Sequence, residues 1–396
     1  MQFNISSEQQ KKQEQFRNFA VVSIAPEANE ADRLEQMPRS VIQNLGAAGY
    51  LGSLLSESWG GLGLDMITYG LLHEEISKVC SSAGALLTVH DMVVDSILRW
   101  GSEEQRKHYL PAMARGETIA SFAITEPEAG SDLRKISTTA TKHNSSYLLN
   151  GVKKWITFGA MADVFVVLSL LDGRPTAFLV DRNAPGVIVR HIKGMIGMRA
   201  AMIAEIEFKQ CELDSACILG RSGFGLSTVV LGALGLGRYS VAWGGVGLAQ
   251  ACVDASLQYA EQRTQFGHPL RDHQLIQELL TDMIVDTDAA RLMCLQAGFY
   301  KAERDPHELL KTLSAKYMSS RVAMRASASA VQIHGANGCG SEYPVQRYYR
   351  DAKIMEIIEG SSQMQQIMIA RLEYQRPAKY ATPCKCASAE TVSTVA

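Results

Sequence analysis

Features that mark several other classes of protein are missing from this 396-residue sequence. The net charge is only −2 and no basic stripe stands out, which argues against a nucleic-acid partner. No uninterrupted apolar run reaches transmembrane length, and the polar start, Met1 to Glu8, lacks a signal-peptide core. We therefore expect a cytoplasmic protein without a membrane partner.

Paired or clustered cysteines are missing as well. The eight cysteines are scattered, and Cys384 and Cys386 form only a C-x-C without partners at zinc spacing. We expect free thiols and no metal site. What the chain does have is apolar residues, 46% of the total against 20% charged, so a large core in two or three domains is expected.

The order of hydrophobic patterns divides the chain into four parts. Helical spacing up to residue 118 gives way to short β-branched and aromatic runs, and long helical patterns return near residue 224. The predicted fold is mainly α with a central antiparallel β domain. We predict an N-terminal helical domain (1–118), a middle β domain (119–222), a C-terminal helical domain (223–375) and a flexible tail (376–396).

Two finer predictions concern the ends of these elements. Three residue pairs are typical of turns between strands: Asn150-Gly151, Asp172-Gly173 and Pro185-Gly186. The last helical pattern runs from about Val345 past Ala370.

A single carboxylate, Glu359, ends an apolar run and precedes Gly360, Ser361 and Ser362. An acid there can lose water and keep a raised pKa, which suits a base that takes a weakly acidic C–H proton. Gly360 would let a substrate carbonyl approach the backbone closely. A buried helix end stopped by glycine explains the same pattern.

Two further segments could contact a flat or anionic ligand. In Ala123–Leu133, Thr125, Ser131 and backbone N–H groups supply donors around a Pro/Gly turn. In Lys153–Gly159, Trp155 could cover a heteroaromatic ring while Thr157 bonds a ring nitrogen. An ordinary turn and a core tryptophan in a strand remain open as alternatives.

Two more segments lie later in the chain. Arg263 could meet a pyrophosphate, or it could simply end a helix, where a cation is favoured. Gly335 and Gly338 permit close backbone approach to a ligand, although a helix stop explains them equally well.

In this order and at these separations, the segments resemble the acyl-CoA dehydrogenase family over about residues 30–372. Ala123–Asp132 resembles the first signature of that family, and Gln332–Gly338 with Arg350–Gln363 resembles the second. The resemblance implies a helical domain, a β domain and a C-terminal four-helix bundle. It also implies FAD between the last two domains, in a homodimer or homotetramer.

The resemblance assigns roles to residues by position. Glu359 matches the base that removes a proton α to a thioester carbonyl while the β carbon gives hydride to FAD. Some relatives carry the base at the position of Gly237, so Glu359 is the matching candidate here. The implied flavin contacts are Ile124, Thr125, Ser131, Trp155, Thr157, Ser361 and Gln363; the contacts from a second subunit are Arg263, Phe266, Gln274, Gln332 and Gly335; and the substrate contacts are Ser131, Arg238 and Gly360.

Two residues depart from the sequence pattern common in this family, and a third feature indicates a narrower subgroup. Gly235 replaces an acid that holds the pantetheine arm in common members, which argues against ordinary CoA binding, and Ala336 replaces a glycine near the cofactor. The run Gly237–Gly244 with Arg350–Ser362 is similar to that of acyl-carrier-protein dehydrogenases that make polyketide extender units of the methoxymalonyl, hydroxymalonyl or aminomalonyl type.

Several functions stay open on these grounds. The first is oxidation of a small polar acyl group on a carrier protein, with an electron-transfer flavoprotein or oxygen as acceptor. The alternatives are a short-chain or amino-acid-catabolic acyl-CoA dehydrogenase, an oxidase, and a binding module without dehydrogenase activity.

Overall fold

The structure is a computed structural model that describes residues 5–375. The predicted flexible tail, with Cys384 and Cys386, lies outside the described residues. In chain order the described elements are helices, then a sheet, then helices, which confirms the predicted fold class.

The first part of the chain is helical because capping residues stand where the helical spacing of apolar residues begins. Ser6 and Ser102 each form a capping box, and the Asp65 carboxylate accepts from the N–H groups of Ile67 and Thr68. The helices are α1 (Ser7–Ser23), α2 (Ala25–Leu34), α3 (Arg39–Ala47), α4 (Met66–Val79), α5 (Ser81–Trp100) and α6 (Glu103–Ala114).

The middle part forms one large sheet of eight strands, whose ranges are given at the end of this paragraph. Seven of them lie in the order β6-β7-β3-β2-β4-β5-β8, and β1 pairs with β4. Most pairs are antiparallel, as predicted, but β1 and β2 both run parallel to β4 and share one edge of it. The segment between β1 and β2 therefore crosses the end of the sheet, which is where Thr125 and Ser131 lie. The strands are β1 (Ala120–Ala123), β2 (Thr139–His143), β3 (Ser146–Ile156), β4 (Val164–Leu171), β5 (Arg174–Asp181), β6 (Val187–His191), β7 (Ala204–Asp214) and β8 (Ile218–Leu219).

Two predicted turns are confirmed and one is wrong. Pro185 and Gly186 lie in the turn before β6, with Gly186 at a φ of 89°. Asp172 and Gly173, both at positive φ, join β4 to β5 as a two-residue hairpin turn. Asn150-Gly151 instead lies inside β3 as a bulge, at a register shift against β7. The Asn150 side chain stabilises the bulge by accepting from the N–H of Gln210 at 2.8 Å.

The C-terminal part contains three long helices and two shorter ones. The predicted single helix after Val345 is wrong, because it breaks between Met355 and Ser362 and places Glu359 in the break. A small hairpin of β9 (Thr264–Gln265) and β10 (His268–Pro269) follows the first long helix. The helices are α7 (Leu231–Gln262), α8 (Gln274–Ala302), α9 (Glu308–His334), α10 (Val345–Met355) and α11 (Ser362–Tyr374).

The core centres on α7, which packs against α4, α5, α8 and α9. Trp243 is fully buried, and Gly70 of α4 leaves room for its indole, since a Cβ on Gly70 would lie 2.1 Å from Trp243 Nε1. Within residues 5–375, only Gly225–Gln262 is long and apolar enough to cross a membrane, but 78% of its apolar window is buried inside the protein. We interpret it as a core helix.

Polar contacts fix α10 to the rest of the molecule. The Arg350 guanidinium pairs with Asp32 of α2 at 2.6 Å and donates to the carbonyl of Ile196. Asp351, fully buried, accepts from the N–H of Met198 at 2.6 Å. These contacts anchor α10 to α2 and to the segment before β7. They therefore fix the position of the end of α10, where the break that carries Glu359 begins.

Candidate functional site

A cavity of about 390 Å³ lies between the end of the sheet and α5, α7 and the break between α10 and α11. It brings together nine of the residues singled out from the sequence. They are Ile124, Thr125, Ser131, Trp155, Thr157, Arg238, Glu359, Gly360 and Ser361.

The break positions Glu359 by its backbone conformation. Glu359 and Gly360 have φ values of 55° and 91°, so the chain reverses after α10 before Ser361 caps α11. The Glu359 Oε2 atom is buried and has no hydrogen-bond partner among the described residues. Burial raises the pKa of Glu359 to about 7, although the charges of Arg238 and Lys316 act in the opposite direction.

Three buried side chains hold the break in place through its carbonyl groups. Arg238 Nε donates to the carbonyl of Glu359 at 3.0 Å, and Lys316 Nζ donates to that of Gly360 at 2.9 Å. Gln365 Nε2 donates to both carbonyls. Arg238 thus lines the cavity as predicted for a substrate contact, but its Nε bonds to the protein.

Gly237 is in direct contact with the candidate base. A Cβ added to Gly237 would lie 2.6 Å from Glu359 Oε2 and 2.7 Å from Met92 Sδ, which is closer than atoms can pack. The absence of a side chain on α7 at this position therefore makes the space that the Glu359 carboxylate occupies.

A buried ion pair fixes the segment that carries Thr125. Lys153 Nζ lies 2.8 Å from Glu126 Oε1 and 2.9 Å from the carbonyl oxygen of Ile124, and both charged side chains are buried. Burial alone would raise the pKa of Glu126, but the hydrogen bond and charge of Lys153 hold it at about 2. The carboxylate also accepts from the N–H groups of Ser137 and Thr138.

Trp155 leaves the strand ladder at a second irregularity of β3. Its φ is 63°, unusual for a residue with a bulky side chain, and it lies at a register shift between Lys153 and Ile156. Trp155 lines the cavity and is 49% exposed as a residue, with Lys154 Nζ 5.2 Å from the centroid of its ring. An exposed aromatic face held by strained backbone is a feature of ligand sites.

The other six predicted residues do not line this cavity. Gln363 is exposed in the first turn of α11. Arg263, Phe266, Gln274, Gln332 and Gly335 instead lie at one end of the helical bundle. Tyr259 joins this group, since its ring stacks on His334 and its hydroxyl donates to the His334 carbonyl. Phe266, at the tip, is 92% exposed.

Four residues that shape this site were given no role from the sequence: Lys153, Glu126, Lys316 and Gln365. Gly237 was named there only as the position at which some relatives carry the base. The signal that could have identified Lys316 is its place on the apolar face of α9, three residues after Leu313. Lys153 and Lys316 have partners 27 and 44 positions away in the chain, Glu126 and Gly360, so local pattern could not reveal their roles. The partners of Gln365 are only five and six positions away, but the bonds form only because the chain breaks between α10 and α11.

Three family descriptions match nearly the whole chain. Residues 6–117, 121–211 and 223–373 match the N-terminal, middle and C-terminal domains of acyl-CoA dehydrogenases. A probable acyl-CoA dehydrogenase of Bacillus subtilis is 37% identical over 94% of this chain and 99% of its own. The human mitochondrial short-chain specific acyl-CoA dehydrogenase is 35% identical over 89% of this chain and 87% of its own.

Solved structures agree with this similarity. Butyryl-CoA dehydrogenase from Megasphaera elsdenii has a TM-score of 0.91 at 31% identity, covering 95% of this chain and all of its own. FkbI, for biosynthesis of the methoxymalonyl extender unit of a polyketide, has a TM-score of 0.84 at 32% identity, covering 92% and 100%. The prolyl acyl carrier protein oxidase AnaB has a TM-score of 0.88 at 28% identity, covering 93% and 100%.

The chain belongs to the acyl-CoA dehydrogenase family. It is an FAD-dependent acyl thioester dehydrogenase. The cavity fits that cofactor, because hydroxyl groups, an exposed indole and an unpartnered carboxylate oxygen all face it. Among residues 5–375 no group of three or more His, Cys, Asp or Glu residues could hold a metal ion.

We expect Lys153→Met to destabilise the protein by about 3–5 kcal/mol, because it leaves the Glu126 carboxylate buried without its partner. Chemical denaturation measures this free energy. The control is Lys154→Met at the next position, whose ammonium is partly exposed and 3.7 Å from Glu205; it should cost less than about 1 kcal/mol. Equal losses in the two variants would contradict the structural role given to Lys153.

We expect Gly237→Ala to slow substrate-dependent flavin reduction by about 100-fold, because its methyl group must displace the Glu359 carboxylate. Alanine is otherwise favourable inside a helix, so the thermal midpoint should not fall in step with the rate. Gly340→Ala is the control and should keep its rate, because Gly340 does not line the cavity, has a φ of −90° and has only the Asn337 carbonyl oxygen, at 3.8 Å, within 4 Å of an added Cβ. A normal rate in Gly237→Ala would show that the carboxylate does not need this space.

Proposed function

We propose that this enzyme oxidises a small acyl thioester with Glu359 as the base that removes the α proton. The observation that carries the proposal is the buried, unpartnered Glu359 Oε2 facing the cavity beside Trp155 and Thr157. When bound, FAD supplies the acceptor for the hydride that leaves the β carbon. A carboxylate with a pKa near 7 is matched to taking a proton at neutral pH.

The remaining groups of the cavity would orient the reactants. The N–H of Glu359 donates to no described residue, so it is free to bond a thioester oxygen as charge develops there. Trp155 would cover one face of the flavin, and Thr157, Thr125 and Ser131 would bond its polar edge. These positions follow from the cavity lining and from the family resemblance.

A second copy of the chain would complete the cofactor site. The five residues at one end of the bundle do not line the Glu359 cavity, so they would contact the FAD of a neighbouring subunit. They are Arg263, Phe266, Gln274, Gln332 and Gly335. The exposed Phe266 and the exposed α8 residues Leu275, Val285 and Leu292 offer an apolar face for that contact. Light scattering reads the assembly; a monomer that keeps FAD would contradict this part of the proposal.

The Glu359→Gln variant tests the central assignment. It keeps the shape but cannot accept a proton, so flavin reduction should slow by about 100- to 10,000-fold. In the unmodified enzyme the rate should rise with pH through about 7 and then level off, because below its pKa Glu359 is protonated and cannot act as a base. Stopped-flow absorbance measures both effects. A Gln variant with the normal rate and pH profile would rule Glu359 out.

A second, larger cleft could receive the arm that carries the thioester. It has a volume of about 1020 Å³ and lies beside the Glu359 cavity along α5 and α7. Its lining carries three cations, Arg99, Lys301 and Arg304, and three acids, Asp95, Asp305 and Glu308, but no acid stands at position 235. We propose that a phosphopantetheine arm on an acyl carrier protein enters here, in a polyketide extender-unit pathway. The similarity to FkbI and AnaB supports this choice.

The alternative is a short-chain or amino-acid-catabolic acyl-CoA dehydrogenase, and the similarity to the human short-chain enzyme favours it. The electron acceptor would be an electron-transfer flavoprotein or oxygen in either case. We place the enzyme in the cytoplasm, where the six free cysteines of the described residues would stay reduced.

Parallel assays with one acyl group on two tethers separate these functions. Glyceryl and seryl groups are attached to CoA and to a phosphopantetheinylated carrier protein, and flavin bleaching is followed by absorbance. We expect kcat/KM to be at least about 10-fold higher on the carrier, because its surface adds contacts that CoA lacks. Bleaching only by CoA thioesters, with short alkanoyl-CoA as the best substrate, would favour the alternative.

A further inference from the structure

Lys316 is a buried cation next to the candidate base, and it lacks an acid partner. The residue is fully buried on α9. Its Nζ donates to the carbonyl of Gly360 at 2.9 Å, but within residues 5–375 it takes part in no ion pair. Arg238, also buried, donates to the carbonyl of Glu359 and is in the same situation. Two cations removed from water without a carboxylate in contact are unfavourable, so another group must offset their burial.

Small residues keep the side chain of Lys316 between two helices. Its neighbours Ala315, Ser319 and Ser320 on α9 are all buried. The helices α7 and α9 approach closely, since a Cβ added to Gly245 would lie 3.1 Å from Ser319 Oγ. This close packing excludes water along the lysine stem, and the ammonium group ends at the break that carries Glu359.

The hydrogen bonds of the break do not by themselves require a cation at this position. Gln365 Nε2, a neutral donor, donates to the carbonyl of Gly360 at 3.0 Å and to that of Glu359 at 3.2 Å. Each carbonyl of the break therefore has a donor even without Lys316 and Arg238. A buried ammonium group is less favourable than a buried amide, so the charge of Lys316 has a use beyond this hydrogen bond.

The carboxylate of Glu359 supplies the missing negative charge. Burial lowers the pKa of Lys316 to about 8, and the charge of Glu359 acts against this effect. Burial raises the pKa of Glu359 to about 7, and the charges of Arg238 and Lys316 act against that effect in turn. The cations and the carboxylate therefore stabilise each other's charged forms without a direct ion pair.

Few other charges act on this group. Glu356, at the end of α10, also favours the charged form of Lys316, but it pairs with a lysine of α10 at 2.8 Å. The residue of α5 beside Glu359 is Met92, and the one of α11 is Gln365, both uncharged. The residues of the sheet that line the cavity are uncharged as well. The protonation state of Glu359 thus depends chiefly on its burial and on the two buried cations.

We propose that Lys316 is a positioning residue whose charge keeps Glu359 ionised for proton abstraction, while its hydrogen bond to Gly360 holds that charge beside the base. The inference rests on the proposed function, because it takes Glu359 to be the base. Lys316 does not line the cavity, so it acts through Glu359 and does not contact the substrate.

Three variants separate the charge of Lys316 from its hydrogen bond. Lys316→Met removes both, while Gln365→Met removes only a neutral donor to the same carbonyl. Lys311→Met is the control, because it removes another cation of α9, whose Nζ lies 5.6 Å from the ring centroid of Tyr300 and which does not line the Glu359 cavity. Stopped-flow absorbance measures flavin reduction by a thioester at pH values on both sides of the midpoint of the pH–rate profile.

In Lys316→Met the midpoint of this profile should move up by about one pH unit, because the carboxylate loses a cation that favours its ionised form. The rate should therefore fall about 10-fold on the acid side and much less on the plateau. Any loss of rate in Gln365→Met should be the same at every pH. Lys311→Met should keep both the rate and the midpoint.

Infrared titration of Glu359 gives a readout that needs no substrate. The C=O stretch of the protonated carboxyl group disappears on ionisation, and Glu359→Gln identifies the band by its loss. The midpoint should be about 7 in the unmodified protein and about one pH unit higher in Lys316→Met. Gln365→Met should leave it unchanged.

A double-mutant cycle tests whether Glu359 is the counter-charge. At a pH where Glu359 is ionised and Lys316 is still charged, Lys316→Met should raise the temperature of unfolding more in the Glu359→Gln background than in the unmodified enzyme. The reason is that the buried cation of the Gln variant has no carboxylate to offset its burial. Equal changes in the two backgrounds would contradict this pairing of charges.

The outcomes separate this inference from the proposed function. If no thioester reduces the flavin at any pH, the proposed function fails, while the infrared titration still decides whether Lys316 controls the ionisation of Glu359. If both pH midpoints stay in place in Lys316→Met, or if Gln365→Met moves them equally, the inference is overturned and the proposed function stands. If Lys316→Met does not fold, Lys316→Gln, which also removes the charge, decides by the same titration.

Discussion

The arrangement of the site depends on one contact, the close approach of the Glu359 carboxylate to α7 at Gly237. The break between α10 and α11 turns the carboxylate inward, and the missing side chain at Gly237 gives it space. Burial then raises its pKa to about 7. The geometry thus produces a carboxyl group suited to act as a base at neutral pH, since Oε2 is buried and has no donor among the described residues.

Buried cations fix this geometry at some cost in stability. Arg238, Lys316 and Lys153 are all buried, and each donates to a backbone carbonyl of a segment that lines the cavity. Burial lowers the pKa of Lys153 and of Lys316 to about 8, which measures how unfavourable their surroundings are for a charge. Active-site segments have irregular backbone whose carbonyls lack partners in a helix or sheet. The buried cations supply those partners and make the segments rigid.

Two cavities follow one another along α5 and α7. The outer cleft is the larger, about 1020 Å³, and charged side chains of both signs line it, while the Glu359 cavity has a volume of about 390 Å³. In the proposed function the long arm of the thioester would occupy the first space and the reacting carbon atoms the second.

By itself the sequence determined the order of the domains, the candidate base and the nine residues that meet in the cavity, because motifs with fixed local spacing carry that information. It also suggested a turn at Asn150-Gly151 and one unbroken final helix, both of which are wrong, since the strand partner β7 and the anchored α10 override local preference. Only the tertiary structure decided that Gly237 makes space for Glu359, that Lys153 pairs with Glu126 and that Arg238 and Lys316 donate to carbonyl groups of the break. These contacts join residues distant in the chain, and their energy comes from burial, which exists only after the helices and the sheet have packed together.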